Sequence, residues 1–251
     1  MLLGLTKSDM SRPIYRIVTL ERLVELFTKN ENVLVSPSKW EDTFENFILK
    51  SKVKLSTGEI EDYGFHKTVF GQCWTLHNAS DAMWRIYSPS NEGIRIKTTI
   101  GKLISSMYQA HPSHAKARCC IGKVDYVTKK KLTWHANNTF DESGLALDKM
   151  FKSLLLKRTA FEHGNEVRLI YQHWGDDFLD HGLYSYKIDP HKLVDEIMID
   201  PRRSYSEFQT IKLIIERSTK YKGKLKRSLL YQFPKDMVLT VTDDFGLAND
   251  A

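Results

Sequence analysis

Cysteine is scarce in this chain of 251 residues, with three in all: Cys73, Cys119 and Cys120. An odd count with two neighbours frames no disulfide scaffold and spaces no Cys-x-x-Cys metal knuckle. Free thiols in a reducing compartment, and no metal centre, are expected. Long apolar runs are also missing. No stretch approaches the roughly 18 residues that a membrane-spanning helix requires. The opening Met1-Leu2-Leu3-Gly4-Leu5-Thr6-Lys7 has no charged lead into an apolar segment, so a cytoplasmic protein is expected. The sequence contains no Gly-x-Gly-x-x-Gly, no Gly-Lys-Ser/Thr phosphate loop, no His-Glu-x-x-His and no Gly-x-Ser-x-Gly. The common dinucleotide, phosphate-loop, zinc-protease and serine-hydrolase templates are thereby excluded.

What is present is the composition of a folded protein. Hydrophobic residues make up 41% and aromatic ones 11%, enough to build a core and to exclude disorder over most of the chain. The formal net charge is +6 and the isoelectric point near 9.0, which favours contact with a polyanion. No repeat, linker or low-complexity segment divides the sequence. The expectation is one catalytic domain over residues 1–243 and a polar tail over 244–251.

Periodicity predicts alternating short strands and helices. Strands are expected at Ile14–Val18, Val33–Val35, Lys67–Thr75, Gly93–Thr98, Gly122–Val127, Glu166–Tyr171, Tyr184–Ile188, Ile197–Ile199 and Lys226–Gln232. Helices are expected over Leu20–Phe27, around Trp40–Ile48, over Ser80–Tyr87 and over Ile100–Tyr108 behind a Thr99 cap. Two more are expected, over Ser143–Arg158 and from the Ser204–Glu207 capping box to Arg217. This order implies an α+β domain with mixed central sheets flanked by helices, not a doubly wound parallel sheet.

Four places set polar groups beside aromatic ones near strand ends. Tyr15-Arg16 puts a guanidinium, suited to clamping phosphate or carboxylate, on the first long strand. Asp42 and Glu45 lie near Trp40 and Phe44. Thr75 ends a strand shortly before Trp84 and Tyr87, whose i, i+3 spacing shares a helix face and suits a flat heterocycle. Glu166 and Arg168 alternate with apolar Val167 and Leu169, so the guanidinium is placed to orient the carboxylate and keep it ionised. Each place also has a bland reading: a surface arginine, an acidic helix start, an aromatic core stripe and a surface ion pair.

The blocks Ile14-Tyr15-Arg16, Ser36 to Glu45, Cys73-Trp74-Thr75 with Met83-Trp84-x-x-Tyr87, Val124-Asp125-Tyr126 and Glu166-Val167-Arg168 resemble, in that order, a widespread bacterial family of unknown function. The similarity runs over roughly residues 14 to 200. More loosely, Arg16 with Tyr15, then Thr75, then Glu166 are similar to the ordered site residues of ADP-ribosyltransferases, including toxins of bacterial phage-defence and toxin–antitoxin systems. That resemblance implies a glycosyltransferase-class enzyme with NAD as its substrate, Glu166, Arg16 and Thr75 as catalytic residues, and Tyr15, Trp84, Tyr87 and Arg168 around the dinucleotide. An antitoxin protein is an implied partner. Arginine-modifying members resemble a Glu-x-Glu pattern, whose first position here is Gly164. A glycine supplies no base, so a nucleic-acid acceptor is expected over protein arginine.

The run Lys220 to Arg227, with Lys222, Lys224 and Lys226 on one face if extended, is placed to track a single-stranded RNA or DNA backbone, together with Lys129, Lys130 and Lys131. Two other readings stay open. One is a non-catalytic RNA- or nucleotide-binding module that stacks bases on the Trp and Tyr pairs. The other is a metal-independent RNA nuclease using histidines such as His111 and His114.

Overall fold

Capping residues and apolar stripes set the helices. Thr19, Ser80 and Thr99 each accept a backbone N–H from the first turn that follows, and Ser204 and Glu207 cap reciprocally. The computed structural model describes residues 1–40, 42, 44–45, 52–54, 57–62, 67–138, 147–175, 182–232 and 238. In chain order they form β1 (Leu2–Leu3), β2 (Pro13–Thr19), α1 (Leu20–Lys29), β3 (Glu31–Val35), β4 (Lys52–Lys54), β5 (Ile60–Asp62), β6 (Val69–Thr75), α2 (Asp81–Tyr87), β7 (Gly93–Thr99), α3 (Ile100–Ala110) and α4 (Ala115–Arg118). The second half adds β8 (Cys119–Lys123), β9 (Asp125–Val127), α5 (Lys129–Asn137), α6 (Leu147–Ser153), β10 (Leu156–Arg158), β11 (Glu166–Gln172), β12 (Leu183–Lys187), α7 (Pro190–Leu193), β13 (Glu196–Ile199), α8 (Tyr205–Thr219) and β14 (Lys224–Arg227).

The architecture is α+β, as expected, built on one mixed ten-stranded sheet. Its main path runs β1-β8-β11-β6-β2-β7-β13-β14, and β3 joins β6 while carrying β12. The outer pairs β1–β8 and β13–β14 are parallel, and the pairs between them are antiparallel. One face, bearing Ile14, Ile94, Ile96, Val167 and Leu169, packs on Leu23 and Phe27 of α1, on Leu103 and Met107 of α3 and on Phe208 of α8. Val69, Cys120 and Ile170 on the other face cluster with Met150, Phe151 and Leu155 around α6.

The sheet is split at β6. Residue pairing joins β6 to β2 at Tyr15–Thr75 and to β3 at Val35–Gly71, so two strands leave the same edge and diverge. At the strand end beside the split, direct pairing aligns Lys224, Glu196, Lys97, Tyr15, Thr75 and Glu166 in one row across six strands. Directly paired residues point to the same face, so this row defines one side of the sheet.

Several elements differ from the sequence expectation. The helix expected over Ser143–Arg158 is α6 only over Leu147–Ser153; the chain turns, and Leu156–Arg158 becomes β10, parallel to β9. The Leu154 carbonyl accepts from the Arg168 guanidinium and the Leu155 carbonyl from Asp125 N–H, two acceptors that a continued helix would have used internally. The strand expected over Gly122–Val127 is two, because Val124 N–H bonds to Glu166 and β9 then leaves to pair with β10. The last strand is Lys224–Arg227 and stops where its partner β13 ends at Ile199. The cationic start Lys129–Lys131 belongs to the unexpected helix α5. Residues 41, 43, 46–51 and 143–146, and the tail 244–251, lie outside the described residues.

Gly71 is where the sheet meets the indole of Trp40. A Cβ there would lie 2.8 Å from Trp40 Cζ2, closer than a packed carbon allows. Gly71→Ala is expected to lower unfolding free energy by about 1–3 kcal/mol, as overpacking does, and to displace the indole. Urea denaturation followed by tryptophan fluorescence checks both effects.

Candidate active site

The split opens into a cleft of about 260 Å³, lined among others by Tyr15, Arg16, Trp40, Thr75, Tyr87 and Glu166. Five of the expected site residues are therefore together: Tyr15, Arg16, Thr75, Tyr87 and Glu166. Trp84 is not, because α2 turns Met83 and Tyr87, at i and i+4, toward the cleft and buries Trp84 to 2% exposure. Arg168 does not line it either. It lies wholly buried behind Glu166 and hydrogen-bonds that residue's carboxylate.

Glu166 starts β11 directly after Asn165, which takes the left-handed conformation (φ 41°) that asparagine tolerates. The approach to that turn is fixed by Thr75, whose hydroxyl donates to the Gly164 carbonyl at 2.7 Å, while Leu76 N–H donates to the Asn165 carbonyl at 3.0 Å. Tyr126 Oη accepts the Glu166 N–H at 3.0 Å. Thr75 thus tethers β6 to the turn before Glu166.

The carboxylate sits in a buried ion network. Arg168 donates to Glu166 Oε2 through Nε (3.0 Å) and Nη2 (2.7 Å), and Lys157 Nζ donates to Oε1 at 2.7 Å. The same two cations hold Glu45: Arg168 Nη2 lies 2.7 Å from Oε2 and Lys157 Nζ 2.7 Å from Oε1. Burial alone would raise the Glu166 carboxyl, but Arg168 and Lys157 outweigh it and hold the group below the ordinary carboxylate range. Burial likewise disfavours charge on Lys157, and Glu166 and Glu45 reverse the effect, so its ammonium is kept. A carboxylate offers about four acceptor directions. Three are taken here, which leaves one on Oε1 for a hydroxyl in the cleft.

The Arg16 guanidinium has no ion pair or hydrogen bond among the described residues. Burial pulls it down from the ordinary arginine value, against the smaller opposing influence of Cys73 and Tyr87, without discharging it. Burial pushes the Cys73 thiol up to about 12, so it is no thiolate nucleophile. Tyr15 is braced from behind by Arg95, whose guanidinium lies 4.6 Å from its ring centroid and pairs with Glu196 at 3.1 Å. Among the described residues no cluster of His, Cys, Asp and Glu could hold a metal ion, and no helix is long and apolar enough to cross a membrane.

Sequence reading missed Lys157 as a site residue because the apolar stripe before it continued the helix signal past Ser153. It met Trp40 and Glu45 but gave them no role. Trp40 lines the cleft and its ring lies 4.5 Å from the Arg168 guanidinium carbon. Of the lysines expected to bind nucleic acid, Lys222 and Lys224 are exposed and, among the described residues, without an ion pair, whereas Lys226 pairs with Glu196 at 2.8 Å. His111 and His114 lie outside the cleft. Their Nε2 atoms meet Tyr184 Oη at 2.7 Å and Tyr171 Oη at 3.0 Å, toward the opposite end of β11 from Glu166.

The network makes stability depend on acid. Glu166 is depressed in the folded chain, so its contribution is full above the ordinary glutamate range and is lost as pH falls through its lowered folded value. Lys157→Met leaves two buried carboxylates sharing one guanidinium. A loss of about 3–5 kcal/mol at neutral pH is expected, with the acid loss beginning at a higher pH than in the wild type. Urea denaturation of both proteins across the acid range checks the shift.

A family model described as "Protein of unknown function (DUF2971)" matches residues 83–169, from α2 into β11. No curated protein matches the chain. Among solved structures, DarT of Thermus sp. 2.9 in complex with ADP-ribosylated ssDNA aligns with a TM-score of 0.41 and 10% identity, over 87% of this chain and 94% of that one. The same protein in complex with NAD+ gives 0.38 and 11%, over 87% and 96%. In complex with carba-NAD+ it gives 0.37 and 11%, over 86% and 95%.

Proposed function

We propose that the split-sheet cleft binds NAD and that the protein is an ADP-ribosyltransferase whose acceptor is a nucleic acid. One observation carries the reading: an ionised carboxylate, Glu166, with one open acceptor direction, and an unpaired guanidinium, Arg16, line the same narrow cleft. Breaking the bond between ribose and nicotinamide sends the electron pair to nicotinamide and leaves positive charge on the ribose carbon. A fixed anion beside that carbon stabilises the charge as it develops. The departing nicotinamide is neutral and needs no strong acid. Arg16 suits the pyrophosphate, and Tyr87 and Trp40 offer flat faces to the rings. The ribose carbon then bonds to an acceptor oxygen or nitrogen, which releases its proton.

Gly164 bears on the acceptor. A Cβ there would lie 3.0 Å from Glu166 Oε1, so a longer side chain at this position would press on the carboxylate. No acidic side chain is available there to deprotonate an arginine. The row that begins at Glu166 ends at Lys224. At about 4.8 Å per strand it spans roughly 24 Å and ends in the exposed cations of β14. A single-stranded nucleic acid held at the exposed Lys222 and Lys224 is within that distance of the cleft. The resemblance found in the sequence adds the biological setting, a toxin of a phage-defence or toxin–antitoxin system.

Glu166→Gln is expected to cut NAD turnover by about 3 kcal/mol in barrier, more than a hundredfold, with circular dichroism unchanged. Nicotinamide release at near wild-type rate would exclude Glu166 as the stabilising anion. For the acceptor, Lys222→Glu with Lys224→Glu avoids Lys226, whose partner Glu196 braces the wall behind Tyr15. The double variant is expected to lose labelling of single-stranded nucleic acid by radiolabelled NAD, and the wild-type labelling is expected to fall steeply with salt. Label found on protein alone would overturn the acceptor assignment.

A further inference from the structure

The split has a second opening. On the opposite face of the sheet, α1, β3 and β12 enclose a cleft of about 360 Å³, and Arg16, Val35 and Gln72 line both this space and the first cleft. Val18, Leu26 and Ile96 give it an apolar wall. Its buried amides are already saturated. Gln72 Nε2 donates to Asn32 Oδ1 (2.8 Å) and to the Val33 carbonyl (3.0 Å), and Gln72 Oε1 accepts from Trp74 Nε1 (2.8 Å) and Asn32 Nδ2 (3.3 Å). Asn32 Nδ2 also donates to Tyr186 Oη at 2.8 Å.

The rim charges are matched as well. Glu25 holds Arg22 at 2.6 Å and Lys29 at 2.9 Å, and Glu31 holds Lys187 at 2.9 Å. Among the described residues this leaves Arg16 as the cation in the cleft with no counter-charge, set against apolar walls. A half-buried guanidinium in that setting favours an anion that brings its own apolar body, because the body covers the wall while the anion supplies the missing partner.

We infer that this far-side cleft is a second ligand site, for a small monoanion with a flat apolar body such as an aromatic carboxylate or sulfonate, anchored by Arg16. Arg16 lines both clefts, so a ligand here shares its guanidinium with any anion held in the first cleft, and the two ligands bind with coupled affinities.

The test uses 1-naphthalenesulfonate and its uncharged sulfonamide as probes, titrated calorimetrically into the full chain without NAD. The sulfonate is expected to bind at least tenfold more tightly than the sulfonamide, and Arg16→Gln is expected to abolish that difference. Leu183, exposed on β12, lines the far cleft and not the first. Leu183→Glu is expected to weaken the sulfonate at least tenfold with thermal unfolding unchanged. Equal affinity for the two probes, or sulfonate binding that survives Leu183→Glu, would overturn the site. The titration contains no NAD, so its result does not depend on whether the protein cleaves the dinucleotide.

Discussion

A wholly buried guanidinium, Arg168, is the constraint on which the site depends. Placing that charge inside the protein costs several kcal/mol unless geometry and partners offset it. Here Glu166 and Glu45 supply the opposite charge, the Leu154 carbonyl takes a third direction, and Trp40 covers the plane. These partners come from β11, from the segment ahead of β4, and from the turn between α6 and β10. One side chain therefore ties together three parts of the chain that are far apart in sequence. Arg158 repeats the device nearer the surface, where its guanidinium grips Asp42 at 2.8 and 3.2 Å.

The split sheet explains why the charged groups converge without crowding. A continuous sheet would fill the space beside β6 with a paired strand. Divergence of β2 and β3 instead leaves a gap whose two sides differ in character. The Glu166 face carries the ion network, and the opposite face belongs to the main core except where Arg16 and the Asn32–Gln72 pair interrupt it. Alternation along β2 sets Tyr15 on one face and Arg16 on the other, and the gap lets Arg16 line both clefts.

Much of this was legible in the sequence because it rests on short-range rules. Period-two alternation placed Glu166 and Arg168 on one face, and their hydrogen bonds follow from that spacing. The Ser204–Glu207 box and Thr99 marked helix starts that the fold uses. What was not legible depends on long-range pairing. The spacing of Trp84 and Tyr87 predicted a shared helix face, yet the packing of α2 turned Met83 and Tyr87 toward the cleft together. Lys157 was hidden because α6 ends where two carbonyls find partners in β11 and β9, and no local propensity encodes that. The saturation of Gln72 and Asn32, and so the isolation of Arg16, involves residues from four separate strands.

The central proposal is that the cleft where β2 and β3 diverge from β6 holds NAD with its nicotinamide ribose against Glu166. A crystal structure with a non-cleavable NAD analogue tests it most directly. The account predicts the ribose hydroxyls within hydrogen-bond distance of Glu166 Oε1 and the pyrophosphate at Arg16. An analogue that binds with its ribose away from Glu166, or a cleft left empty at saturating analogue, would contradict it.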